Sequence, residues 1–428
     1  MNLFQNTNTN KRYYTVDFYN KNKFHDKIFK ISLNGGFTCP NRDGKVGNGG
    51  CIYCSSLGSG DFAGNVKDDL ITQFNKIKEQ MNHKWHGKYI GYFQANTNTY
   101  APVSVLKEKF EPILKLSNVI GLSIATRPDS ISDECFDYLI DLNKRTYLTV
   151  ELGLQTIHEK TSELINRCHT LECFEECVKR LRKNKIAVVV HLINGLPYET
   201  KEMMLENITY LNKLDIQGIK IHMLHILKNT KLEKMYKEQP FKILTEQEYV
   251  NIVCDQLELL NPDIVVHRLT GDPDPNNLIE PTWLTNKMVV LNDIDKELAR
   301  KNTYQGFQKN ILNKTHQIID LVLREKDIVI DATIGNGKDS LFISNYIKKG
   351  HLYGFDIQTI AIQHTKELLN ENNFNNYTFI HRNHKFIKEE LPYLKNKVSL
   401  IIYNLGYLPG GDKKITTTYQ DTIHSIKE

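Results

Sequence analysis

No apolar run in the 428 residues approaches the length a bilayer crossing requires. The opening MNLFQNTNTNKRYY carries no apolar stretch of the kind found in a secretory signal. Charge of one sign is not in excess either, with a formal net charge of +5 and an isoelectric point near 8.5. That mildly basic balance permits an RNA partner without requiring one, because nucleic-acid binders concentrate charge on one face. No internal repeat is visible, which excludes solenoids and propellers. A second C-x-x-C or an H-x-x-x-H is also missing, so zinc would lack a fourth ligand at matching spacing. These absences lead to the expectation of a reduced, cytoplasmic protein without a membrane partner. Its cysteines then act as ligands or free thiols, not as disulfides. A chain of this length is expected to hold two or three domains.

What is present is a loop reading CPNRDGKVGNGGCIYC, with Cys39, Cys51 and Cys54. A cubane iron–sulfur cluster normally takes four cysteine ligands, so three thiolates leave one iron open to another ligand. A redox C-x-x-C pair would account for Cys51 and Cys54 but not for Cys39, nor for Gly44, Gly47, Gly49 and Gly50. Those glycines allow backbone to approach a bulky inorganic group. Cys168, Cys173 and Cys177 could suggest a second cluster. The segment LECFEECVKRLRK instead reads as an amphipathic helix with Cys173 and Cys177 stacked on one face, and free cysteine is a common small core residue.

Between about residues 25 and 270, apolar β-type runs alternate with helical periodicity. Strands are expected over Lys27–Leu33, Tyr89–Phe93, Ile120–Ala125, Leu148–Leu152, Ile186–Leu192, Gly218–Met223 and Ile264–Arg268. This alternation implies a parallel sheet covered by helices. Its repeat number suits a partial TIM-like (β/α) barrel with functional residues at the C-terminal strand ends. A first domain over residues 1–303 is expected. The pattern restarts after Thr303–Asn310, with strands at Asp327–Thr333, Leu352–Phe355, Thr378–Ile380 and Ser399–Tyr403. A second, Rossmann-like α/β domain over residues 304–428 follows from that restart.

The segments GGFTCPNRDG, YFQANTNTYAP, ATRPD, VELGLQT, HLINGLP and HRLTGDP occur in order, each near an expected strand end. As a set they resemble the YtqA-type (MnmL) radical-SAM proteins, relatives of the Elp3-like branch, over about residues 10–305. The resemblance implies that Cys39, Cys51 and Cys54 hold a [4Fe-4S] cluster whose open iron chelates S-adenosylmethionine. It further implies that Gln94, Asn96 and Thr97 receive the cofactor's amino group. Arg127 would pair with its carboxylate, since a guanidinium fork fits that geometry. Glu151 and Gln155 become candidates for the ribose and methionyl end, and Asn194 for the turn near the adenine. An electron donor such as flavodoxin or ferredoxin is implied as a partner.

In the second domain, VIDATIGNGKDSLFI places Asp331 at a strand end, followed by Gly335, Asn336 and Gly337 and then a helix. Such a turn alone could serve a dinucleotide or only a tight corner. Asp356, followed by Gln358 in YGFDIQ, lies about twenty residues further on, where a carboxylate suits ribose hydroxyls. The next strand end carries His381 and Asn383, in the area an adenine would occupy. DATIGNGKDS, YGFDIQ and NLGYLPGGDK together resemble the YtqB-type (MnmM) class I methyltransferases. By that resemblance Asn404 and Tyr407 stand where amine methyltransferases receive a substrate N–H. The family continues with further strands, so an incomplete methyltransferase domain is expected.

The two resemblances imply successive steps on a tRNA wobble uridine. Radical chemistry would convert 5-carboxymethylaminomethyluridine to 5-aminomethyluridine, and N-methylation would then give 5-methylaminomethyluridine. A radical-SAM enzyme acting on a non-RNA substrate, with a C-terminal segment that binds S-adenosylmethionine or RNA without turnover, is the alternative.

Overall fold

The computed structural model describes residues 4–58, 60, 62–82, 87–308, 315, 318, 319, 321–404 and 418–427. The chain divides into two compact units, Met1–Lys309 and Asn310–Glu428.

The first unit contains β1 (Ile28–Leu33), β2 (Lys88–Phe93), β3 (Val119–Thr126), β4 (Tyr147–Gln155), β5 (Ala187–Asn194) and β6 (Gly218–Met223). These are followed by β7 (Ile226–Leu227), β8 (Val265–Arg268) and β9 (Leu278–Glu280). Strands β1 to β6 and β8 form one parallel sheet in sequence order, while β7 and β9 pair antiparallel beside it. At least one helix separates each pair of successive strands of the large sheet. No pairing joins β8 back to β1 among the described residues, so the sheet is the expected partial barrel. The segment ahead of the first helix lies against β8, with the Val266 N–H donating to the Tyr14 carbonyl at 2.7 Å. That helix, Val16–Phe24, touches both β8 and β1.

Local chemistry explains where the chain turns. Ser132, Thr170, Thr200 and Thr245 each accept a backbone N–H in the first turn of the helix they precede. A cap of this kind is worth about 1 kcal/mol and fixes the helix start. In β4, Leu148, Val150, Leu152 and Leu154 belong to the main core under the helices, whereas Thr149 and Glu151 alternate to the other face. Burying such a residue contributes roughly 1.5–3 kcal/mol, which pins the register of the strand and so the position of Glu151.

The second unit has β10 (Ile328–Asp331), β11 (His351–Asp356), β12 (Tyr377–His381) and β13 (Leu400–Ile402), all parallel in the order β12-β11-β10-β13. Helices Lys338–Ser344 and Thr359–Glu371 follow β10 and β11. This is the Rossmann-like arrangement expected, with the first strand central. Among the described residues, no helix is long and apolar enough to cross a membrane.

Candidate functional site

Cys39, Cys51 and Cys54 line one cavity of about 510 Å³. Residues at or just after the C-terminal ends of β2, β3, β4, β6 and β8 line it too, among them Gln94, Arg127, Gln155, His222 and Arg268. The thiol loop is built by backbone hydrogen bonds within it and to its neighbours. The Arg42 N–H donates to the Cys39 carbonyl at 2.8 Å and the Cys54 N–H to that of Cys51 at 3.0 Å. The Asn166 amide reaches the Gly50 carbonyl at 2.8 Å. Gly50 holds φ at +76°, a conformation an L side chain resists, and this turn delivers Cys51.

Donors also point at the sulfurs. The Arg42 guanidinium lies 3.0 Å from Cys54 Sγ and the Asn41 amide 3.6 Å from Cys51 Sγ. Burial, with Cys54 nearby, pushes the Cys51 thiol up to about 11. A metal group held there must displace that proton. Among the described residues, no three cysteine, histidine or carboxylate side chains gather as a single ion requires. Three thiols around one cavity, with a glycine turn and N–H donors to sulfur, fit a larger metal–sulfur group. Of the other cysteines, Cys177 is buried in the core and Cys168 is exposed, its sulfur 3.2 Å from the Asn166 amide oxygen.

Gln94, Asn96 and Thr97 all line the cavity, and the turn that carries them is held by Asn98. The fully buried Asn98 amide donates to the carbonyls of Phe93 and Ala125 at 3.1 and 2.8 Å. Arg127 lines the cavity with much of its fork engaged, by Asp129 at 2.9 and 2.6 Å and by the Arg167 carbonyl at 2.8 Å. Burial works against its charge, but Asp129 holds it above the usual arginine range. Gln155 lines the cavity from a left-handed backbone position, φ +68°. Asn194 is placed elsewhere: its amide exchanges hydrogen bonds of 2.8 and 2.9 Å with the buried Gln256, and it is not part of the cavity wall.

Glu151 is fully buried and sits at the centre of a charged floor. One carboxylate oxygen receives Lys30 Nζ and Ser123 Oγ at 2.6 Å each, and the other receives His191 Nε2 at 2.7 Å and the Lys220 ammonium. Burial alone would raise this carboxyl. The adjacent ammonium groups of Lys220 and Lys30, with the His191 bond, instead hold it well below the usual range. Burial pulls Lys220 below the ordinary lysine range despite that contact, and its ammonium lies 4.5 Å from the centre of the Tyr92 ring. Lys30, Tyr92, Lys220 and Arg268 are absent from the residues chosen by sequence. A signal was present: FKISL, VELGL and IKIHM each put one charge inside an apolar strand, and a buried charge must find a partner.

In the second unit Asp331 is buried, accepting Ser340 Oγ at 2.6 Å and the Thr333 N–H at 3.2 Å. Burial pushes it up to about 6, with those two bonds offsetting part of the effect. Asp356 accepts the N–H of Gly335 at 3.0 Å and of Gln358 at 2.8 Å, tying the glycine turn to the end of β11. Asn336 sits in that turn, and Gly337 has φ +73° with Thr365 so close that a Cβ would meet it at 2.6 Å. Asn383 caps the short helix after β12 and donates to Asp421 at 3.0 Å. The Asn404 N–H donates to Thr333 Oγ1 at 2.7 Å and its amide to Asp339 at 3.1 Å. Tyr407 lies outside the described residues.

Comparison with known proteins follows the same division. The radical SAM superfamily matches residues 43–211, its C-terminal domain residues 216–300, and an rRNA methylase family residues 352–428. YtqA of Bacillus subtilis is 55% identical over 306 residues, which is 71% of this chain and 95% of that protein. An Elp3 structure from Methanocaldococcus infernus, 18% identical, covers 65% of this chain and 64% of its own with a TM-score of 0.50, a likeness of fold alone. The chloroplastic tRNA (mnm(5)s(2)U34)-methyltransferase of Arabidopsis thaliana is 32% identical over 130 residues. That match takes in 28% of this chain and about half, 47%, of the relative. The chain belongs to the YtqA-type radical-SAM family, enzymes that use a [4Fe-4S] cluster and S-adenosylmethionine, and it carries a methyltransferase-family unit fused behind that domain.

Proposed function

We propose that the chain modifies the wobble uridine of tRNA in the cytoplasm. The first unit converts 5-carboxymethylaminomethyluridine to 5-aminomethyluridine, and the second methylates the resulting amine to 5-methylaminomethyluridine. The observation that carries this reading is the union of a three-thiol cavity with a unit related to a wobble-uridine methyltransferase. A cavity of about 510 Å³ has the size of a small-molecule site, which suits a nucleotide taken out of its stack and not a stacked helix.

Within the first unit, Cys39, Cys51 and Cys54 would hold the cluster. A cluster held there, with flavodoxin or ferredoxin as electron donor, would supply one-electron reduction of S-adenosylmethionine and so radical chemistry. Gln94, Asn96 and Thr97 present amide and hydroxyl groups for the cofactor's amino group, and Gln155 for its methionyl end. Arg127, already clamped by Asp129, acts more as a wall that keeps the loop around Arg167 in place than as a free carboxylate receptor. Glu151 orders Lys30, Lys220 and His191, so the floor beneath the substrate is rigid and charged.

In the second unit Asp356 and the Gly335–Gly337 turn would take S-adenosylmethionine, with Asp331, Gln358 and Asn383 around it. Asn404 would orient the substrate amine. Because the chain spans about half of its methyltransferase relative, binding without turnover is the rival reading for this unit. Anaerobic incubation of the reconstituted full chain with hypomodified tRNA, followed by nucleoside mass spectrometry, tests the proposal. Gain of 5-aminomethyluridine or its methylated product supports it, and unchanged wobble nucleosides overturn it.

A further inference from the structure

The cations that line the cavity are not alike. Arg42 is held by Cys54 Sγ and two backbone carbonyls, Arg127 by Asp129, Arg167 by backbone carbonyls and Lys220 by Glu151. Arg268, the last residue of β8, lines the same cavity and has no hydrogen-bond or ion-pair partner among the described residues. Its register partner in β6 is Lys220, so no carboxylate comes to it from the neighbouring strand. Asp272, the nearby acid in the wall, is drawn to Lys287. Beside Arg268 stand two imidazoles, His222 and His225, which burial pulls below the ordinary histidine range; their Nε2 atoms are buried without hydrogen-bond partners, that of His225 packed against Gly271. The Glu151 carboxylate is already shared between Lys30 and Lys220. Arg268, an exposed side chain, is therefore the cation of this wall whose donors no protein group takes among the described residues, and its complement is an oxyanion.

We propose that Arg268, flanked by His222 and His225, forms the subsite that receives the carboxylate of the substrate's carboxymethylamino group. The proposal rests on the wobble-uridine reading above and adds the feature that selects this substrate over the uridine lacking the carboxylate. A guanidinium fork takes a carboxylate through two parallel hydrogen bonds, which fixes the direction of the methylene between carboxylate and amine. The same chemistry could come from two other oxyanions, a backbone phosphate of the tRNA or the carboxylate of S-adenosylmethionine, and the test separates all three.

The experiment uses the full chain, reconstituted with iron and sulfide, as wild type, Arg268→Gln and Arg268→Lys. Equilibrium binding is measured for tRNA bearing 5-carboxymethylaminomethyluridine, for the same tRNA bearing 5-aminomethyluridine, and for S-adenosylmethionine. With Arg268→Gln, affinity for the carboxylated tRNA is expected to fall about tenfold to a hundredfold, the loss of a charge-assisted pair. Affinity for the aminomethyl tRNA should move less than about twofold, and Arg268→Lys should recover part of the loss. Equal weakening towards both tRNAs identifies a phosphate contact, and weakening towards S-adenosylmethionine identifies the cofactor's carboxylate; either result overturns the proposal. So does an unchanged preference for the carboxylated tRNA. Among the described residues Arg268 has no partner to strand, and iron content checks the fold of each variant. If wild type binds both tRNAs alike and converts neither, the wobble-uridine reading itself fails. If wild type converts the nucleoside and Arg268→Gln matches it, only the subsite fails.

Discussion

Replacing Glu151 by Gln removes the one carboxylate that faces Lys30 and Lys220 among the described residues, and the cost follows from their burial. The side chain of Glu151 has no exposure, that of Lys220 8% and that of Lys30 26%. Lys30 can turn towards water, but Lys220 cannot. Breaking a buried pair on one side costs about 3–5 kcal/mol, because the remaining ion is left without compensation. For a unit of 309 residues, with an unfolding entropy near 2.1 cal/mol/K per residue, this corresponds to a fall in Tm of about 5–8 °C. Thermal unfolding of the full chain, followed for the transition of the first unit, reads that shift. The double variant Glu151→Gln with Lys220→Met removes the stranded charge and should recover more than half of the loss, giving a coupling energy of roughly 2 kcal/mol or more. A single variant within about 1 °C of wild type, or a double variant no better than the single, would refute the argument that Glu151 is there to balance Lys220.

Three further outcomes are expected. Cys51→Ala should lower bound iron and abolish 5′-deoxyadenosine release on reduction; full iron and unimpaired release would show that the thiol is not a ligand. Asp331 carries a folded-state pKa raised from 3.8 to about 6, so its contribution is full below the unfolded value and lost as pH rises through the folded one. Stability of the second unit should therefore fall by about 2 kcal/mol between pH 4 and 6, out of about 3 kcal/mol over the whole titration. Asp331→Asn should flatten that slope in thermal unfolding, and an equal slope in both proteins would contradict it. In iron-free full chain, Asp356→Ala should weaken S-adenosylmethionine binding at least tenfold by calorimetry, whereas Asn404→Ala should bind normally and lose methyl transfer. Identical behaviour of the two variants would remove the distinction drawn between cofactor and substrate sides.

The parallel sheets were legible because strands buried on both faces leave an apolar signature. Gly218–Met223 is a strand in both readings, end for end. The pair Ile226–Leu227 and Leu278–Glu280 is too short to show any period in the sequence. Helix Val16–Phe24 is mostly polar and shows no apolar stripe, and the Thr15 cap is its one local mark. The thiol loop is a local motif and could be found by eye. Glu151, Lys30 and Lys220 come from three strands and meet only through folding; the resemblance points Glu151 towards the cofactor, while its partners Lys30 and Lys220 look like isolated charges in the sequence. Asn194 sits at a strand end as expected, but its side chain turns to Gln256, a choice made by packing between β5 and the helix Glu246–Leu259.

The missing link between β8 and β1 has a mechanical consequence. Across six junctions the sheet is joined by parallel ladders, three of them with a register shift, but among the described residues the N-terminal segment is fastened to β8 by one isolated bridge at Thr15 and Val266. Splaying there costs little backbone bonding and leaves every ladder in register. The wall bearing Arg268 stands on that edge strand, where among the described residues a strand ladder holds β8 from one side only.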